Sequence, residues 1–160
     1  MKIGVFVHSH TGNTARLGLA VTHAFREKGE DVVVELLRPA GKVTMGSRRV
    51  EFKHFPDVAA FDILLFGGPI WAFNASPVIA SALEKLPSLK GKKALFFLTS
   101  GLPSPLSGCN RAQKKIANMF LELGATVLEG ESLFWGLWCG KKRLDATVKR
   151  ICERVLRSGA

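Results

Sequence analysis

The sequence contains no tyrosine, no Cys-x-x-C pair and no apolar run long enough to span a membrane. Its three cysteines therefore predict neither a structural zinc site nor a framework of disulfides. The first residues carry one lysine and then an apolar run that is too short for a signal peptide, so a cytoplasmic protein is expected. The chain has 160 residues and no repeat, which predicts one domain with a substantial core over residues 1–160.

Acidic residues are scarce, since 13 Asp and Glu stand against 23 Lys and Arg and give a net charge of +10. This charge is compatible with nucleic-acid binding, and also with steering of anionic substrates or acidic partner proteins. It is equally compatible with a basic surface that has no specific partner. Charge governs association and solubility more than it defines a site, so it does not choose among these classes.

Five short apolar runs recur along the chain, with helical patterns between most of them. The runs do not alternate between apolar and polar residues, as expected for parallel strands that are buried on both faces. They cover residues 3–7, 32–36, 63–66, 94–98 and 125–128. This order predicts an α/β fold, in which helices cover both faces of a doubly wound, five-stranded parallel sheet.

Four helical patterns are present. The first follows residue 14 and stops at Gly29, and Ser76 with Pro77 predicts the N-cap and first turn of a second helix. The predicted later helices cover 77–86, about 111–123 and about 144–156.

The segment 38–62 is rich in proline, glycine and basic residues, and a helix is expected there only near 56–60. Cys109 and Cys139 fall in predicted loops, and the sequence does not say whether either thiol is reactive. Cys152 lies on the apolar face of the last predicted helix, which predicts a core position.

The first strand runs into a loop of small residues with hydroxyl and amide groups. Ser9, Thr11 and Thr14 can donate hydrogen bonds from their hydroxyls, and Asn13 can donate from its amide. Gly12 tolerates backbone angles that other residues resist. The N-terminus of the following helix adds backbone N–H groups and partial positive charge, so the ligand that fits this loop is a phosphate. The loop lacks Gly-Lys-Ser/Thr and G-x-G-x-x-G, which disfavours a nucleoside triphosphate or a dinucleotide pyrophosphate.

Residues 9–14 read Ser-His-Thr-Gly-Asn-Thr and resemble the phosphate loop of the flavodoxin family, Ser/Thr-x-Thr-Gly-Asn-Thr. In that family the loop holds the phosphate of FMN. The resemblance therefore implies FMN as cofactor and a three-layer α/β/α fold with strand order 2-1-3-4-5, in a short-chain member because the last strand shows no long insertion. The implied phosphate-loop residues are Ser9, His10, Thr11, Gly12, Asn13 and Thr14.

The resemblance also implies two loops for the flavin ring, at the ends of the third and fourth strands. The first consists of Pro69, Ile70, Trp71, Ala72, Phe73 and Asn74. The second consists of Thr99, Ser100, Gly101 and Leu102. Trp71 and Phe73 offer aromatic faces for stacking on the flavin, although a tryptophan buried in the core is the alternative for Trp71.

Two features depart from flavodoxins that carry single electrons. Those proteins usually place carboxylates around the flavin and often a tyrosine against it, whereas neither ring loop here contains Asp or Glu. Less negative surroundings predict a less negative potential for two-electron reduction. At the tip where flavodoxins often flip a glycine peptide stand Ala72, Phe73 and Asn74, of which Asn74 tolerates the required conformation best.

A further aromatic and basic segment follows the last predicted strand. Trp135 and Trp138 lie in it, and Trp138 with Lys141, Lys142 and Arg143 could form a rim that binds a quinone or the phosphate of a pyridine nucleotide. A core or dimer-contact aromatic beside a solvated basic helix start is the alternative.

Three functions are compatible with these observations. The first is an FMN-binding, flavodoxin-like redox protein that carries electrons between partner proteins, with acidic proteins as candidate partners. The second is an NAD(P)H-dependent FMN reductase of quinones or similar acceptors, and the third is a non-redox basic binding module. No catalytic side chain and no metal site is predicted. The physiological donor and acceptor, the number of electrons per step and the oligomeric state stay open.

Overall fold

Seven strands form one sheet within residues 1–103, 106–136 and 139–159, which are the residues that the computed structural model describes. The strands are β1 (Lys2–Val7), β2 (Asp31–Leu36), β3 (Ile63–Trp71), β4 (Asn74–Ala75), β5 (Lys93–Ser100), β6 (Thr126–Val127) and β7 (Glu131–Phe134). Their order is β2-β1-β3-β5-β6, all parallel, while β7 also pairs in parallel with β5 and the short β4 is antiparallel to β3. The predicted order 2-1-3-4-5 is confirmed, because β6 and β7 together occupy the fifth position.

The strands at the fifth position of the sheet differ from the prediction, which placed a single strand there over residues 125–128 and did not include β7. Residues of β7 alternate between buried and half-buried positions, as is usual at a sheet edge, so they form no continuous apolar run. Gly130 separates the two pieces, and a Cβ there would lie 2.2 Å from the ring of Phe96. The backbone at Gly130 lies too close to that ring for any residue with a side chain.

In the described part of the chain, four helices cover the two faces of the sheet, as predicted. They are α1 (Asn13–Glu27), α2 (Pro77–Lys85), α3 (Cys109–Glu122) and α4 (Lys141–Gly159). α1 and α4 bury residues such as Phe25 and Ile151 against one face, and α2 and α3 bury residues such as Leu83 and Phe120 against the other. This arrangement is the expected three-layer α/β/α fold. Within the described ranges, no helix combines the length and the apolarity needed to cross a bilayer.

The helix predicted near 56–60 is wrong, because residues 38–62 contain no helix. The side chain of Asp57 accepts a hydrogen bond from the Ala59 N–H over 2.9 Å, which fixes a turn that competes with helix. Val58 within this turn and Phe61 just after it are buried in the core. The segment is therefore held by packing and local turns.

Cys109 was expected in a loop, but it is the first residue of α3 and is buried. Gly108 before it has a φ of 76° and starts the helix, and the Cys109 N–H donates to the hydroxyl of Ser107 over 3.3 Å. Cys139 lies outside the helices and strands and is half-buried, whereas Cys152 is buried in α4 as predicted.

Candidate functional site

The loop that follows β1 leads directly into α1 at the carboxyl edge of the sheet. Gly12 has a φ of 94°, as its predicted role required, and its N–H donates to the Ser9 hydroxyl over 3.2 Å. The N-cap residue of α1 is Gly12, which has no side chain that could cap the helix. The first N–H groups of the helix therefore lack a capping side chain and can bind an anion there.

The three predicted loops meet in one cavity of about 200 Å³. Its walls consist of residues from the first loop, from the end of β3, from the end of β5 and from the segment after β7. They are His10, Thr11, Asn13, Thr14, Pro69, Ile70, Trp71, Thr99, Ser100, Gly101 and Trp135. None of these residues is Asp or Glu, so the described walls of the cavity contain no carboxylate.

The remaining predicted residues lie close by. Ala72, Phe73 and Leu102 line a smaller cavity of about 130 Å³ that shares Ile70, Ser100 and Gly101 with the first one. Ser9 supports the turn at Gly12 through its hydroxyl. Asn74 is in β4, where its side-chain amide donates to the Ala72 carbonyl over 3.4 Å.

The first loop is joined to the end of β5 through two buried hydroxyls. The oxygens of Thr14 and Thr99 are 2.7 Å apart, and either can be the donor. If Thr99 donates, the hydroxyl hydrogen of Thr14 is left for another acceptor, because a hydroxyl can donate once and still accept. The predicted role of Thr14 as a donor to phosphate is compatible with this contact.

His8 lies at the end of β1 and links it to α2. Its Nδ1 is 2.8 Å from the Ser76 hydroxyl oxygen, which also accepts from the Ile79 N–H at the start of α2. Burial, with a smaller effect from the neighbouring His10, lowers the pKa of His8 to about 4. His8 is therefore neutral at pH 7, and its contact with Ser76 gives it a structural role.

Trp71 is the last residue of β3, and two histidine rings meet it edge-on. The ring centroids of His8 and His10 are 5.3 Å and 5.6 Å from that of Trp71, with interplanar angles of 80° and 89°. Trp71 is half-buried and belongs to neither apolar cluster of the core. It is a wall of the cavity rather than a core tryptophan.

The turn after Trp71 has a conformation that its residues disfavour. Ala72 and Phe73 have φ values of 46° and 65° and connect β3 to β4 as a two-residue turn with left-handed central residues. Asn74, which tolerates the left-handed conformation better than either of them, is already in β4. Gly108 lies against this turn, since a Cβ there would be 2.3 Å from the Phe73 carbonyl oxygen.

Trp135 was noted in the aromatic segment but was not among the predicted cofactor-binding residues. It lines the cavity, and the guanidinium of Arg16 lies 5.4 Å from the centre of its ring. Its position follows from the pairing of β7 with β5, which the sequence did not reveal.

The described residues of the predicted rim, Lys141, Lys142 and Arg143, do not come together at this cavity. Lys141 lines a groove between α1 and α4, and the Arg143 guanidinium lies 6.0 Å from the Phe134 ring centre. Neither they nor Lys142 line the cavity. Trp138 lies outside the described residues. No group of three or more potential metal ligands occurs in the described part of the chain.

Comparison with known proteins places these features in a family. The model of a family described as NADPH-dependent FMN reductase matches residues 1–138. The chain belongs to this family. Its cofactor is FMN, and the resemblance to flavodoxins is confirmed at the level of a flavodoxin-like FMN-binding family. No curated protein matches the sequence significantly.

Solved structures show the same fold. A candidate flavoprotein from Bacteroides eggerthii is 25% identical, with 94% of this chain and 98% of that one covered and a TM-score of 0.69. A flavodoxin from Streptococcus pneumoniae is 16% identical, with 99% of each chain covered and a TM-score of 0.73. A flavoprotein from Lactobacillus acidophilus in complex with FMN is 12% identical, with 82% and 92% covered and a TM-score of 0.62.

The residues present fit FMN on their own chemistry. An uncapped helix N-terminus with Thr11 and Asn13 beside it suits a phosphate dianion. Trp71 and Trp135 supply aromatic surface in the same cavity for a flat ring system. The single cavity therefore combines the two kinds of group that a phosphorylated flavin needs.

Proposed function

We propose that this protein carries electrons between partner proteins through bound FMN, whose isoalloxazine supplies the redox chemistry. The observation that carries the proposal is an exposed apolar rim, which consists of Phe73 and Leu102. These two residues line the smaller cavity and are 56% and 50% exposed. Two apolar side chains exposed at the same cavity give a docked protein apolar area to bury next to the cofactor.

In this proposal the first loop binds the phosphate of FMN. The N–H groups at the start of α1 and the side chains of Ser9, His10, Thr11, Asn13 and Thr14 supply the donors, and Gly12 makes the turn. Residues 69–74 and 99–102 hold the ring, with Trp71 against it. No side chain is assigned a catalytic role, because the protein binds and orients the cofactor and sets its electrostatic surroundings.

The net charge of +10 favours acidic proteins as redox partners. Long-range attraction between opposite charges raises the rate of encounter, and salt screens it. We also propose a cytoplasmic location, which the three free thiols favour because that compartment keeps thiols reduced.

A second candidate is reduction of FMN by NAD(P)H, with quinones or similar compounds as acceptors. The specific observation in its favour is the description of the matched family, NADPH-dependent FMN reductase. The same match supports a redox role over a non-redox basic binding module.

Anaerobic reduction of the FMN-loaded protein separates the two candidates. In a stepwise dithionite titration, an electron carrier should show the absorbance of one-electron-reduced flavin before full bleaching, and NADPH or NADH alone should leave the oxidised spectrum unchanged. Rapid bleaching by NADPH without that absorbance would instead identify the reductase. A protein that retains no FMN would contradict both.

The apolar rim can be tested separately. Because Phe73 and Leu102 also belong to the ring loops, Phe73→Ser and Leu102→Ser are assayed at saturating FMN. They should slow electron transfer from the reduced protein to an acidic [2Fe–2S] ferredoxin by a larger factor than transfer to ferricyanide, a small acceptor. Leu121→Ser is the matched control, since Leu121 is 57% exposed on α3. Equal rates for the rim and control variants would remove the rim from the proposal.

A further inference from the structure

A second cavity of about 500 Å³ lies beside the flavin cavity, over the ends of β1 and β2. His10 and Trp71 line both cavities, so these two side chains form a shared wall. The volume is within the range of pockets that hold small molecules. Apart from Ser9, His10 and Trp71, the residues that line it have no part in the functions proposed above.

Three cations line the second cavity, namely Arg38, Lys42 and Lys53, and no Asp or Glu lines it. None of these three side chains forms an ion pair within 4.0 Å with any carboxylate of the described chain. The cavity therefore has an uncompensated positive charge, which favours an anion.

The backbone fixes two of these cations beside each other. The Lys53 N–H donates to the Arg38 carbonyl over 3.1 Å, and Pro39 and Phe52 form an antiparallel bridge next to that bond. Like charges on paired segments repel each other. An anion that both side chains contact would remove this repulsion, so the arrangement suits a ligand better than an empty surface.

The rest of the lining is largely apolar. Val7 and Leu37 are buried at the base, and Val43 and Trp71 are half-buried around it. Leu36 at the end of β2 is 48% exposed although it lines the cavity. Apolar surface of this kind favours the organic body of a ligand rather than a hydrated inorganic ion.

We propose that this cavity binds a small amphipathic anion, with an aromatic or aliphatic body and one phosphate or carboxylate group, in addition to FMN in the neighbouring cavity. The body lies against Leu37, Val43 and Trp71, and the charged group meets Arg38 and Lys53. Such a ligand contacts the wall that faces the cofactor site. The proposal does not depend on whether the protein is an electron carrier or a reductase.

The test uses the FMN-saturated protein, so that the phosphate loop is already filled. Phenyl phosphate and benzoate are titrated separately while the indole N–H resonance of Trp71 is followed by NMR, after its assignment with Trp71→Phe. At least one of the two probes should shift this resonance in a saturable way as its concentration rises. The comparison of the two probes identifies the preferred charged group. Benzyl alcohol and inorganic phosphate should each bind at least about tenfold more weakly than the better probe.

The variant Arg38→Gln/Lys53→Gln should weaken binding of the better probe by about tenfold or more. The control Lys114→Gln/Lys115→Gln removes the same charge from exposed positions on α3 and should leave it unchanged. The proposal is overturned if neither probe saturates, if benzyl alcohol or inorganic phosphate binds equally well, or if the two double variants bind the probe alike. The visible spectrum of FMN, recorded in every sample, separates such a failure from loss of the cofactor.

Discussion

The contact between Gly108 and the turn at Phe73 should determine how well the flavin loop is held. Gly108 has a φ of 76°, and an added Cβ would lie 2.3 Å from the Phe73 carbonyl oxygen and 2.8 Å from its carbonyl carbon. Gly91 offers a matched control, because its φ is 82° but nothing lies within 4 Å of an added Cβ. Alanine causes the same backbone strain at either position, and only at Gly108 does its Cβ also clash with the Phe73 backbone.

The two effects can be separated by size. A left-handed alanine costs about 1–2 kcal/mol, which is the whole effect expected for Gly91→Ala. At Gly108 the backbone of the turn must move by roughly 1 Å to reach normal contact, and overpacking of this kind adds about 1–3 kcal/mol. The turn already carries strain in Ala72 and Phe73, so we expect it to shift rather than α3.

Urea unfolding and FMN titration of the two variants provide the assay. Gly91→Ala should lower the free energy of unfolding by about 1–2 kcal/mol and leave the FMN dissociation constant unchanged. Gly108→Ala should lower the free energy of unfolding further and raise the dissociation constant by about tenfold, since a loop displacement near 1 Å disrupts ring contacts. Equal stability and equal FMN affinity for both variants would show that the contact between Gly108 and Phe73 does not hold the flavin loop.

Three further outcomes are expected. Below about pH 6.5 the unfolded chain takes up a proton at His8, whereas the folded protein excludes this proton down to about pH 4. The free energy of unfolding should therefore fall by roughly 3 kcal/mol as the pH is lowered from 6.5 to 4. His8→Asn should remove that loss, and His23→Asn at an exposed site should not. Glu131→Gln should cost about 2–3 kcal/mol in urea unfolding, because this buried carboxylate meets two arginine side chains, whereas the exposed Glu129→Gln should cost under about 1 kcal/mol. Gly101→Asp, where an added Cβ meets nothing, should lower the two-electron potential of bound FMN by about 30 mV in a redox titration at low salt, and Gly101→Asn should not.

The sequence predicts best those elements whose defining residues are neighbours in the chain. The loop from Ser9 to Thr14 has its donors in six consecutive residues, between a buried strand and a helix start. Ser76 and Pro77 likewise mark a helix start within two positions, and the Ser76 hydroxyl does accept from the helix as predicted. In both cases the chemistry that defines the element is local.

The parts that were missed depend on contacts between distant segments. β7 alternates like an edge strand and is defined by its pairing with β5. No local pattern in the sequence therefore indicated that Trp135 lines the cavity. The left-handed turn at Ala72 and Phe73 goes against the preferences of both residues and is set by the pairing of β3 with β4. The cation pair at Arg38 and Lys53 arises from a bridge across a segment without regular structure.

We propose that the first loop and the uncapped start of α1 hold the phosphate of FMN. The most direct measurement is a titration of the cofactor-free protein with FMN and with riboflavin, which differ only in that phosphate. FMN should bind at least about 100-fold more tightly, since several charge-assisted hydrogen bonds are made only with the phosphate. Equal affinities for the two flavins would show that the loop does not bind the phosphate.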